Sequence, residues 1–544
     1  GAGMADAYKA IGFEFSPNVS NISNVLTMTT GNGDDVLNPG ESAELVVELS
    51  NDIDWANAFN VIASISCENP SVNIVNGTSD FGNMLSGDLS SNSSNPYILS
   101  LPQNISLDPI ELVLMVSSDT NADFNYSIEI PITIPVTLFQ SGFPFATSFE
   151  VVSSPLVIDF DDDGENEILF GDKNGLVHVL DIDGTELDNG IFPYDTGDEI
   201  WGSLAAADMD LDGLLDIAVA SKSKFLTVLD INGVKFSYDT EQFLFANPVI
   251  GNFDDDPELE VAASGFTSSG DVFLVNHDGT LVDGFPAEIN EKTHRGPAVM
   301  DFDGNGKDDL LYATENNKQL CLVYDSGIFD TLFFADSKFK SAPSILHVGD
   351  DILITAGSDD EFFYAVNEVG ELVFSIDTGD DVNSSASFVD LDSGPVIFFG
   401  SESGDLHAVD IGGNSLEGWP VSLGDEVNMS VSFADFDDDG TPEVVASASN
   451  MIYIYTMDGE IYNPNHFPII NEFAITSAPI IMDIDDDSDL EILIGSAATM
   501  VVVDVAGSGN ATGTFWNIDR GNAKRHGVYV SSSSFNSSFF LFNA

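Results

Sequence analysis

The sequence of 544 residues predicts an all-β protein, with an N-terminal β-sandwich followed by an eight-bladed β-propeller. An acidic pattern recurs through residues 141–530 at intervals of about 45 residues, and each interval contains four short apolar runs. Residues 1–140 lack this period and contain alternating apolar stretches separated by turn signals. Residues 531–544 form a tail that is Ser-rich and then apolar, and it is a candidate to dock on its own propeller or to add a strand to a neighbouring copy.

The charge balance excludes several classes of partner. The chain has 14 Lys and Arg against 91 Asp and Glu, a formal net charge of −77 at pH 7. So few cations cannot form the basic surface that nucleic-acid binding needs, and an anionic membrane surface would repel the chain. Hydrophobic residues make up 43%, which is enough to bury large cores. No apolar run reaches about 18 residues, so no transmembrane helix is predicted.

The N-terminal segment is predicted to fold as a sandwich of about seven strands. Stretches such as 44–49, 110–115 and 126–134 alternate apolar and polar residues, which is the pattern of a strand with one buried face. No helical periodicity competes with them.

The repeats are marked by the pattern Asp-x-Asp-x-Asp-Gly-x-x-Asp/Glu. Successive copies start 44 to 49 residues apart, except for one interval of 134 residues, which is about three periods. Two degenerate copies, near Asp350 and Asp390, fill that interval. Six well-formed and two degenerate copies together predict eight blades, with seven as the alternative if one degenerate copy is only an insertion. The well-formed copies start at Asp159, Asp208, Asn252, Asp301, Asp435 and Asp483.

Four strands are expected in each repeat. The third apolar run ends in a hairpin-type turn such as Asp183-Gly184, and the fourth begins near an aromatic-Pro pair such as Phe192-Pro193. Four strands in about 45 residues is the spacing of propeller blades. Phe143-Pro144 precedes the first acidic loop, and the last repeat has no such pair after it. The segment around 143–150 is therefore expected to pair with the final repeat and close the ring.

The acidic loops are predicted to bind calcium. Carboxylates at positions 1, 3, 5 and 9 of a loop that turns at a Gly form an all-oxygen cage, which suits Ca²⁺ better than Mg²⁺. Recurrence in six copies disfavours ordinary solvated turns. The candidate ligands of the six sites are Asp159, Asp161, Asp163, Glu167, Asp208, Asp210, Asp212, Asp216, Asn252, Asp254, Asp256, Glu260, Asp301, Asp303, Asn305, Asp309, Asp435, Asp437, Asp439, Glu443, Asp483, Asp485, Asp487 and Glu491.

The six copies are not equivalent. Asn305 keeps an oxygen ligand but loses a charge, and Ser488 replaces the Gly of the last copy. Pro257 occupies the Gly position of the third copy and cannot adopt a positive φ, so that loop is expected to differ or to bind weakly. The copies near Asp350 and Asp390 lack the ligand set and are expected to bind nothing.

The acidic loops and the Ile-Leu-Phe-Gly-like strands after them resemble the FG-GAP/VCBS repeat family. These are the calcium-bearing propeller repeats of integrin α-chain heads and of many secreted bacterial proteins. The resemblance covers about 385 residues and implies the fold and the metal, with calcium bracing one face of the ring while ligands meet other loops. Residues 516–527 look like the closing segment that follows such propellers.

A second resemblance covers residues 31–41, Gly-Asn-Gly-Asp-Asp-Val-Leu-Asn-Pro-Gly-Glu. Ig-like modules of bacterial surface proteins carry a similar opening, sometimes with calcium. Asp35 stands where that pattern has a Gly. The resemblance implies an Ig-like sandwich and one further calcium site on Asn32, Asp34 and Glu41, with a plain turn before a strand as the alternative.

No catalytic motif is recognised, so a non-enzyme is expected. The sequence contains no Gly-x-Ser-x-Gly, His-Glu-x-x-His or Cys-x-x-Cys. His178 and His407 occupy equivalent points of third strands, which favours a structural role. The main local cationic cluster is Arg520, Lys524, Arg525 and His526, in the closing segment.

The expected function is an extracellular calcium-binding adhesion or scaffold protein, at the cell surface or secreted. A carbohydrate-binding lectin is the first alternative and a polysaccharide lyase the second, since a lyase needs clustered cations and a proton acceptor. Partners would be proteins or glycans at the cell exterior, and the terminal segments would allow a homo-oligomer or filament. Ten glycosylation sequons support that location, at Asn18, Asn21, Asn76, Asn92, Asn104, Asn125, Asn383, Asn428, Asn510 and Asn536.

Overall fold

A computed structural model of the protein describes residues 16–30, 36–120, 125–485, 489–505, 509 and 515–532. The chain divides into two compact units, Gly1–Ser141 and Gly142–Ala544. Within the described residues both units consist of β-strands, joined by turns and by one 3₁₀ turn at Asp519–Gly521. No helix in this part of the chain has the length and apolar character needed to cross a bilayer.

The N-terminal unit contains two antiparallel sheets. One has the order β1-β2-β7-β4, with β6 also paired to β2, and the other has the order β5-β3-β8-β9. The strands are β1 (Val19–Met28), β2 (Ser42–Asn51), β3 (Ala58–Cys67), β4 (Asn73–Asn76), β5 (Thr78–Met84), β6 (Leu89–Ser91), β7 (Tyr97–Ser100), β8 (Ile110–Asp119) and β9 (Asn125–Ile134).

Alternation along these strands creates the core between the two sheets. Ala43, Leu45, Val47 and Leu49 of β2 are buried, and they share one hydrophobic cluster with the alternate residues of β3 and β8. The structure has nine strands where about seven were predicted. The difference arises because Gly77 separates β4 from β5, which lie in different sheets, and because β6 is a short addition to β2.

The C-terminal unit is a β-propeller, because it consists of eight small antiparallel sheets that follow one another along the chain. The first six sheets contain β11 (Leu156–Ile158), β12 (Glu167–Gly171), β13 (Leu176–Asp181) and β14 (Tyr194–Asp195); β15 (Ala205–Ala207), β16 (Asp216–Ala220), β17 (Phe225–Asp230) and β18 (Gly233–Asp239); β19 (Val249–Gly251), β20 (Glu260–Ser264) and β21 (Val272–Val275); β22 (Ala298–Met300), β23 (Asp309–Ala313), β24 (Gln319–Val323) and β25 (Phe329–Phe334); β26 (Ser344–Val348), β27 (Asp351–Gly357), β28 (Phe362–Asn367) and β29 (Leu372–Asp377); and β30 (Ser387–Leu391), β31 (Gly394–Gly400), β32 (Asp405–Asp410) and β33 (Val421–Ser422).

The last two sheets complete the series. The seventh contains β34 (Ser432–Ala434), β35 (Glu443–Ala448), β36 (Met451–Tyr455) and β37 (Ile469–Ile470). The eighth contains β38 (Ile480–Met482), β39 (Leu490–Gly495) and β40 (Thr499–Val505), with β10 (Phe145–Ala146) as its fourth strand. A final strand, β41 (Val528–Val530), pairs in parallel with β26.

The predicted pairing of the segment around 143–150 with the final repeat is confirmed: β10 pairs with β40, and Phe145 lies opposite Met500. A hydrophobic cluster also joins the first and eighth sheets, with Phe170 and Val157 packed near Leu493 and Val502. Second strands such as β12 and β16 are buried along their whole length, because each sheet is covered on both faces by its neighbours. That burial explains why these strands are continuous apolar runs in the sequence.

Both degenerate repeats form sheets of their own, β26–β29 and β30–β33. In each, the first and second strands are joined by only two residues, Gly349 and Asp350 in one and Asp392 and Ser393 in the other. These turns are too short for an acidic cage, in agreement with the missing ligand set.

The closing segment lies against the first strands of the sheets, along the axis of the propeller. Backbone N–H groups from first strands of six sheets donate to its carbonyl oxygens, as Phe433 does to Trp516 (3.0 Å), Ala206 to Ala523 (2.9 Å) and Val299 to His526 (2.9 Å). The resemblance implied that residues 516–527 close the propeller, but the fourth strand of the eighth sheet is β10. Residues 516–530 instead form an axial plug.

The cationic cluster of this segment is part of the plug. Arg525 is fully buried and donates to the carbonyl oxygens of Leu204 (2.8 Å), Ser154 (3.0 Å) and Asp519 (2.9 Å). Arg520 is also buried and donates to the carbonyl oxygens of Pro297 and Pro343. Two of the four clustered cations therefore hold the plug in place. His178 and His407 likewise stack on buried Phe170 and Phe399 of the neighbouring strands, as structural side chains.

Candidate metal loops and axial pocket

All six acidic loops connect the first strand of a sheet to its second strand, and they therefore lie at the same end of their sheets. We call this end the acidic face. The opposite end carries the loops between second and third strands and the connections between sheets, and we call it the connector face.

The carboxylate at position 9 is fixed in the same way in every acidic loop. It stands at the start of the second strand and accepts a hydrogen bond from the backbone N–H that follows position 1. Glu167 accepts from Phe160 (2.7 Å) and Glu443 from Phe436 (2.9 Å). The other four pairs are Asp216 with Met209, Glu260 with Phe253, Asp309 with Phe302 and Glu491 with Ile484. This bond occupies one carboxylate oxygen; in Asp309 the other oxygen accepts from the N–H of Asp325 (2.9 Å).

The loop curls around the carboxylate at position 1, which accepts hydrogen bonds from the loop backbone. Asp435 accepts hydrogen bonds from the backbone N–H groups of Asp439 (3.0 Å) and Gly440 (2.8 Å). Gly440 has φ +89°, a conformation that favours glycine, and the loops at Asp159, Asp208 and Asp301 repeat this geometry. The third loop differs, as expected from Pro257 at the Gly position. There Asn252 donates to the carbonyl oxygen of Asp256 (3.2 Å).

In five loops, three carboxylates converge so that one oxygen from each lies within 4.8 Å of the others. In four of these loops the group consists of positions 1, 3 and 9, while the side chain at position 5 accepts from a backbone N–H, as Asp163 does from Glu165 (2.9 Å). In the third loop, which has Asn252 at position 1, Asp256 at position 5 belongs to the group instead. An oxygen-only donor set suits a hard divalent cation. Glu260 Oε1 is buried without a hydrogen-bond partner in the described residues, which fits a cation ligand. The groups are Asp159, Asp161 and Glu167; Asp208, Asp210 and Asp216; Asp254, Asp256 and Glu260; Asp301, Asp303 and Asp309; and Asp435, Asp437 and Glu443.

Some predicted ligands fall outside the described residues. Asp487 of the sixth loop is one of them, while Glu491 of the same loop has the geometry found in the other loops. Asn32 and Asp34 of the predicted N-terminal site are also outside. Its third member, Glu41, is buried and accepts from the N–H of Asn38 (2.8 Å).

Burial makes the position-9 carboxylates hard to ionise in the absence of a cation. Burial and the neighbouring carboxylates raise the pKa of Glu167 and Glu260 to about 7 and that of Glu443 to about 8. The same causes raise the pKa of Asp309 to about 6. A divalent cation would reverse this effect because it favours the charged form.

These shifts predict how calcium-free protein responds to pH. Because the folded state holds protons that the unfolded state has released, stability is highest below the ordinary carboxylate pKa of 4.5 and falls as the pH rises to about 8. We expect a loss of about 1 kcal/mol or more for each of Glu167, Glu260 and Glu443. Melting curves in chelator between pH 5 and 8 test this. Calcium should remove most of the dependence of the melting temperature on pH. An equal pH dependence with and without calcium would contradict the account.

The second loop contains a cation of its own. The Lys235 ammonium lies 2.7 Å from Asp210, 2.9 Å from Asp212 and 3.3 Å from Asp216. Burial lowers the pKa of Lys235, but the hydrogen bonds to Asp210 and Asp212 outweigh it and the pKa is raised. The sequence did not reveal this, since Lys235 comes from the fourth strand, 19 residues beyond the end of the loop.

Replacing Lys235 with Met is expected to strengthen calcium binding at this loop, because the tethered ammonium competes for the same oxygens. Calorimetric titration should find one more calcium ion bound per chain than in the unmodified protein. Lys318→Met, at an exposed lysine outside the loops, is the control. Unchanged stoichiometry and affinity in Lys235→Met would show that the ammonium does not compete.

The connector face carries a pocket at the axis of the propeller. The connections that precede first strands surround it, the plug residues Asp519 and Arg520 line it, and its cavity volume is about 40 Å³. Trp201 and Phe245 form one wall, with ring centroids 5.0 Å apart. The Asp519 carboxylate is held by the hydroxyl of Ser430 (2.9 Å). This pocket was not predicted because its residues come from eight connections far apart in the sequence, and the Pro that precedes the first strand in five of them does not indicate a ligand site.

The basic residues are concentrated on the connector face. Eight of the 14 Lys and Arg residues lie in its loops, and most of those lysines are ion-paired with Asp or Glu, as Lys222 is with Glu199 (2.9 Å). Arg295 is different. It lines the axial pocket, and its guanidinium makes no hydrogen bond or ion pair within the described part of the chain. The eight residues are Lys173, Lys222, Lys224, Lys292, Arg295, Lys318, Lys338 and Lys340.

Comparison with known proteins adds little beyond the fold. No protein-family profile matches the chain, and no curated protein matches it. Among solved structures, it is similar to Sqt1 of Saccharomyces cerevisiae (12% identity, TM-score 0.48, 66% of this chain and 96% of that one). It is also similar to BBS1N in complex with ARL6DN (12%, 0.40, 68% and 97%) and to the WD40 β-propeller domain of Doa1 (12%, 0.39, 68% and 97%). At these scores the similarities carry no argument about function.

Proposed function

We propose that this protein is an extracellular calcium-binding scaffold or adhesion component, attached to a cell surface or secreted. The observation that supports it best is the recurrence of three converging carboxylates at the same end of five sheets. Calcium bound there would brace the acidic face by neutralising loops that otherwise repel one another. The connector face then remains available to a protein or glycan partner.

The finer architecture belongs to the same proposal. Eight successive sheets, with the first and the last joined by β10, support an eight-bladed propeller of the FG-GAP/VCBS type. The two packed antiparallel sheets of the N-terminal unit support an Ig-like module. A net charge of −77 supports a salty exterior, since the Debye length is only about 3 Å in 1 M salt.

The lectin alternative gains support from the axial pocket, which combines aromatic and polar side chains. The lyase alternative loses support, because Arg520 and Arg525 are buried in bonds to backbone carbonyls and do not form a catalytic cluster. We therefore propose a binding protein without catalytic activity.

Surface binding tests the proposed function. The full chain, labelled and supplied with calcium, should be retained on surfaces coated with extracellular glycans or matrix proteins, and chelator should release it. Retention that is identical in calcium and in chelator would contradict a calcium-braced adhesion component. Catalytic turnover of a polysaccharide would replace the proposal with the lyase.

Self-assembly is tested separately by the mass of the native particle. Most of the tail proposed to add a strand to a neighbour, residues 533–544, lies outside the described residues; Ser531 and Ser532 donate hydrogen bonds to Asp390. If the tail joins neighbouring copies, deleting residues 533–544 should reduce the particle to a monomer in light scattering. An unchanged mass would exclude strand exchange through this tail.

A further inference from the structure

The glycosylation sequons differ in how far a modifying enzyme can reach their asparagines. Asn510 and Asn536 lie outside the described residues, and the other eight lie within them. An N-linked glycan is bulky and polar, so its asparagine must stand at the surface with room in solvent. Asn104 and Asn125 are exposed, and Asn92 is buried. The remaining five are half-buried: Asn18, Asn21, Asn76, Asn383 and Asn428.

The amide Nδ2, the atom that carries an N-linked glycan, already donates a hydrogen bond within the protein in six of these eight sequons. Asn92 is the clearest case, because its Nδ2 donates to the carbonyl oxygen of Leu45 (3.2 Å) and its Oδ1 accepts from the N–H of Val47 (2.6 Å). A glycan on this buried nitrogen would break a bond that β2 needs. The other five donate as follows: Asn18 to Asp52, Asn21 to Asn24, Asn76 to Pro96, Asn383 to Glu402 and Asn428 to Glu426.

The two propeller sequons in the described residues have a structural place. Asn383 and Asn428 each stand four residues before a first strand, and both line the axial pocket. That pocket of about 40 Å³ has room for a few water molecules but not for a sugar residue. Their sequons therefore arise from the packing of the connections around the axis.

The two exposed sequons belong to the N-terminal unit. Asn104 lies in the turn between β7 and β8, and Asn125 is the first residue of the edge strand β9. The side chain of Asn125 makes no hydrogen bond within the described part of the chain. The sequon hydroxyls, on Ser106 and Ser127, are exposed as well. Both groups that define each sequon can therefore be reached from solvent.

We infer that Asn104 and Asn125 are N-glycosylation sites, and that the other six sequons in the described residues are not. The inference rests on the proposed extracellular location and deepens it by assigning the modification to the N-terminal unit. In the transfer, Nδ2 bonds to the anomeric carbon of an oligosaccharide carried on a lipid diphosphate. The bond from that carbon to the diphosphate oxygen breaks, the lipid diphosphate leaves, and Nδ2 gives up one proton.

Glycan mapping of the secreted full chain tests this inference. The chain is given a secretion signal, produced by a eukaryotic host cell and treated with an N-glycosidase in heavy-oxygen water, which marks each released site in peptide mass spectra. Asn104 and Asn125 should be marked. Ser127→Ala keeps Asn125 but removes its sequon, so it should lose that glycan and keep the one on Asn104. Asn92→Gln is the structural control: it should keep both glycans but lower the melting temperature, because it disturbs two buried hydrogen bonds.

A secreted carrier protein with an exposed sequon, made in the same cells, shows that the cells transfer glycans. If the carrier is modified while Asn104 and Asn125 are bare, the inference is overturned. Equal occupancy at Asn92, Asn383 or Asn428 would overturn it too, because exposure would then not select the sites. Failure here is distinguishable from failure of the proposed function, because calcium-dependent melting and surface retention can be measured on the deglycosylated chain.

Discussion

Replacing Arg525 with Met is expected to lower the free energy of unfolding by about 3 kcal/mol or more. Arg525 is fully buried, and its guanidinium donates to carbonyl oxygens of Ser154, Pro155 and Leu204 in the first two sheets and of Asp519 in the plug. Methionine fills part of the volume but leaves those buried acceptors without donors. Because one side chain joins the plug to two sheets, the loss should spread to the whole propeller.

Lys524→Met is the matched control for this substitution. Lys524 is the preceding residue, it loses the same charge, and its ammonium makes no hydrogen bond or ion pair in the described part of the chain. We expect a change within about 0.5 kcal/mol for this control. Equal effects of the two substitutions in denaturant unfolding would mean that the plug does not hold the ring together.

Replacing Glu443 with Gln is expected to change stability in opposite directions with and without calcium. In chelator above pH 8, the substitution removes a charge whose burial raises the pKa of Glu443 to about 8, so it should stabilise the protein by about 1 kcal/mol or more. In saturating calcium it removes a ligand. Stability should then fall by about 1.4 kcal/mol for every tenfold loss in calcium affinity at that loop.

The exposed Glu417 of the neighbouring sheet provides the control. Glu417→Gln removes the same charge without changing an acidic loop, so it should have a small effect of the same sign in both buffers. If Glu443→Gln changed stability in the same direction in calcium and in chelator, the converging carboxylates would not be a calcium site.

Local patterns made most of the fold predictable. The acidic repeat located the first and second strands of six sheets, and the aromatic-Pro pair at Phe143-Pro144 anticipated the pairing of β10 with β40. These features are predictable because the sequence pattern of the four-strand unit recurs along the chain. The strand count of the N-terminal unit was less accurate, since a short addition such as β6 depends on its neighbour more than on its own pattern.

The contacts between distant parts of the chain were not predictable. Lys235 enters the second acidic loop from a later strand, and Arg525 meets Ser154 across 371 positions of sequence. The axial pocket is assembled from eight connections that lie far apart in the sequence, and the Pro shared by five of them does not indicate a pocket. Its one sequence signal is Arg295, a charged residue at a place where the other repeats have small or apolar side chains.

The melting temperature of the full chain in calcium and in chelator tests the central claim most directly. If calcium braces the acidic face, chelator should lower the melting temperature by about 10 °C or more, and added calcium should restore it. Magnesium at the same concentration should restore much less, because it favours fewer protein ligands. A melting temperature that is the same in calcium and in chelator would contradict the claim that calcium stabilises this propeller.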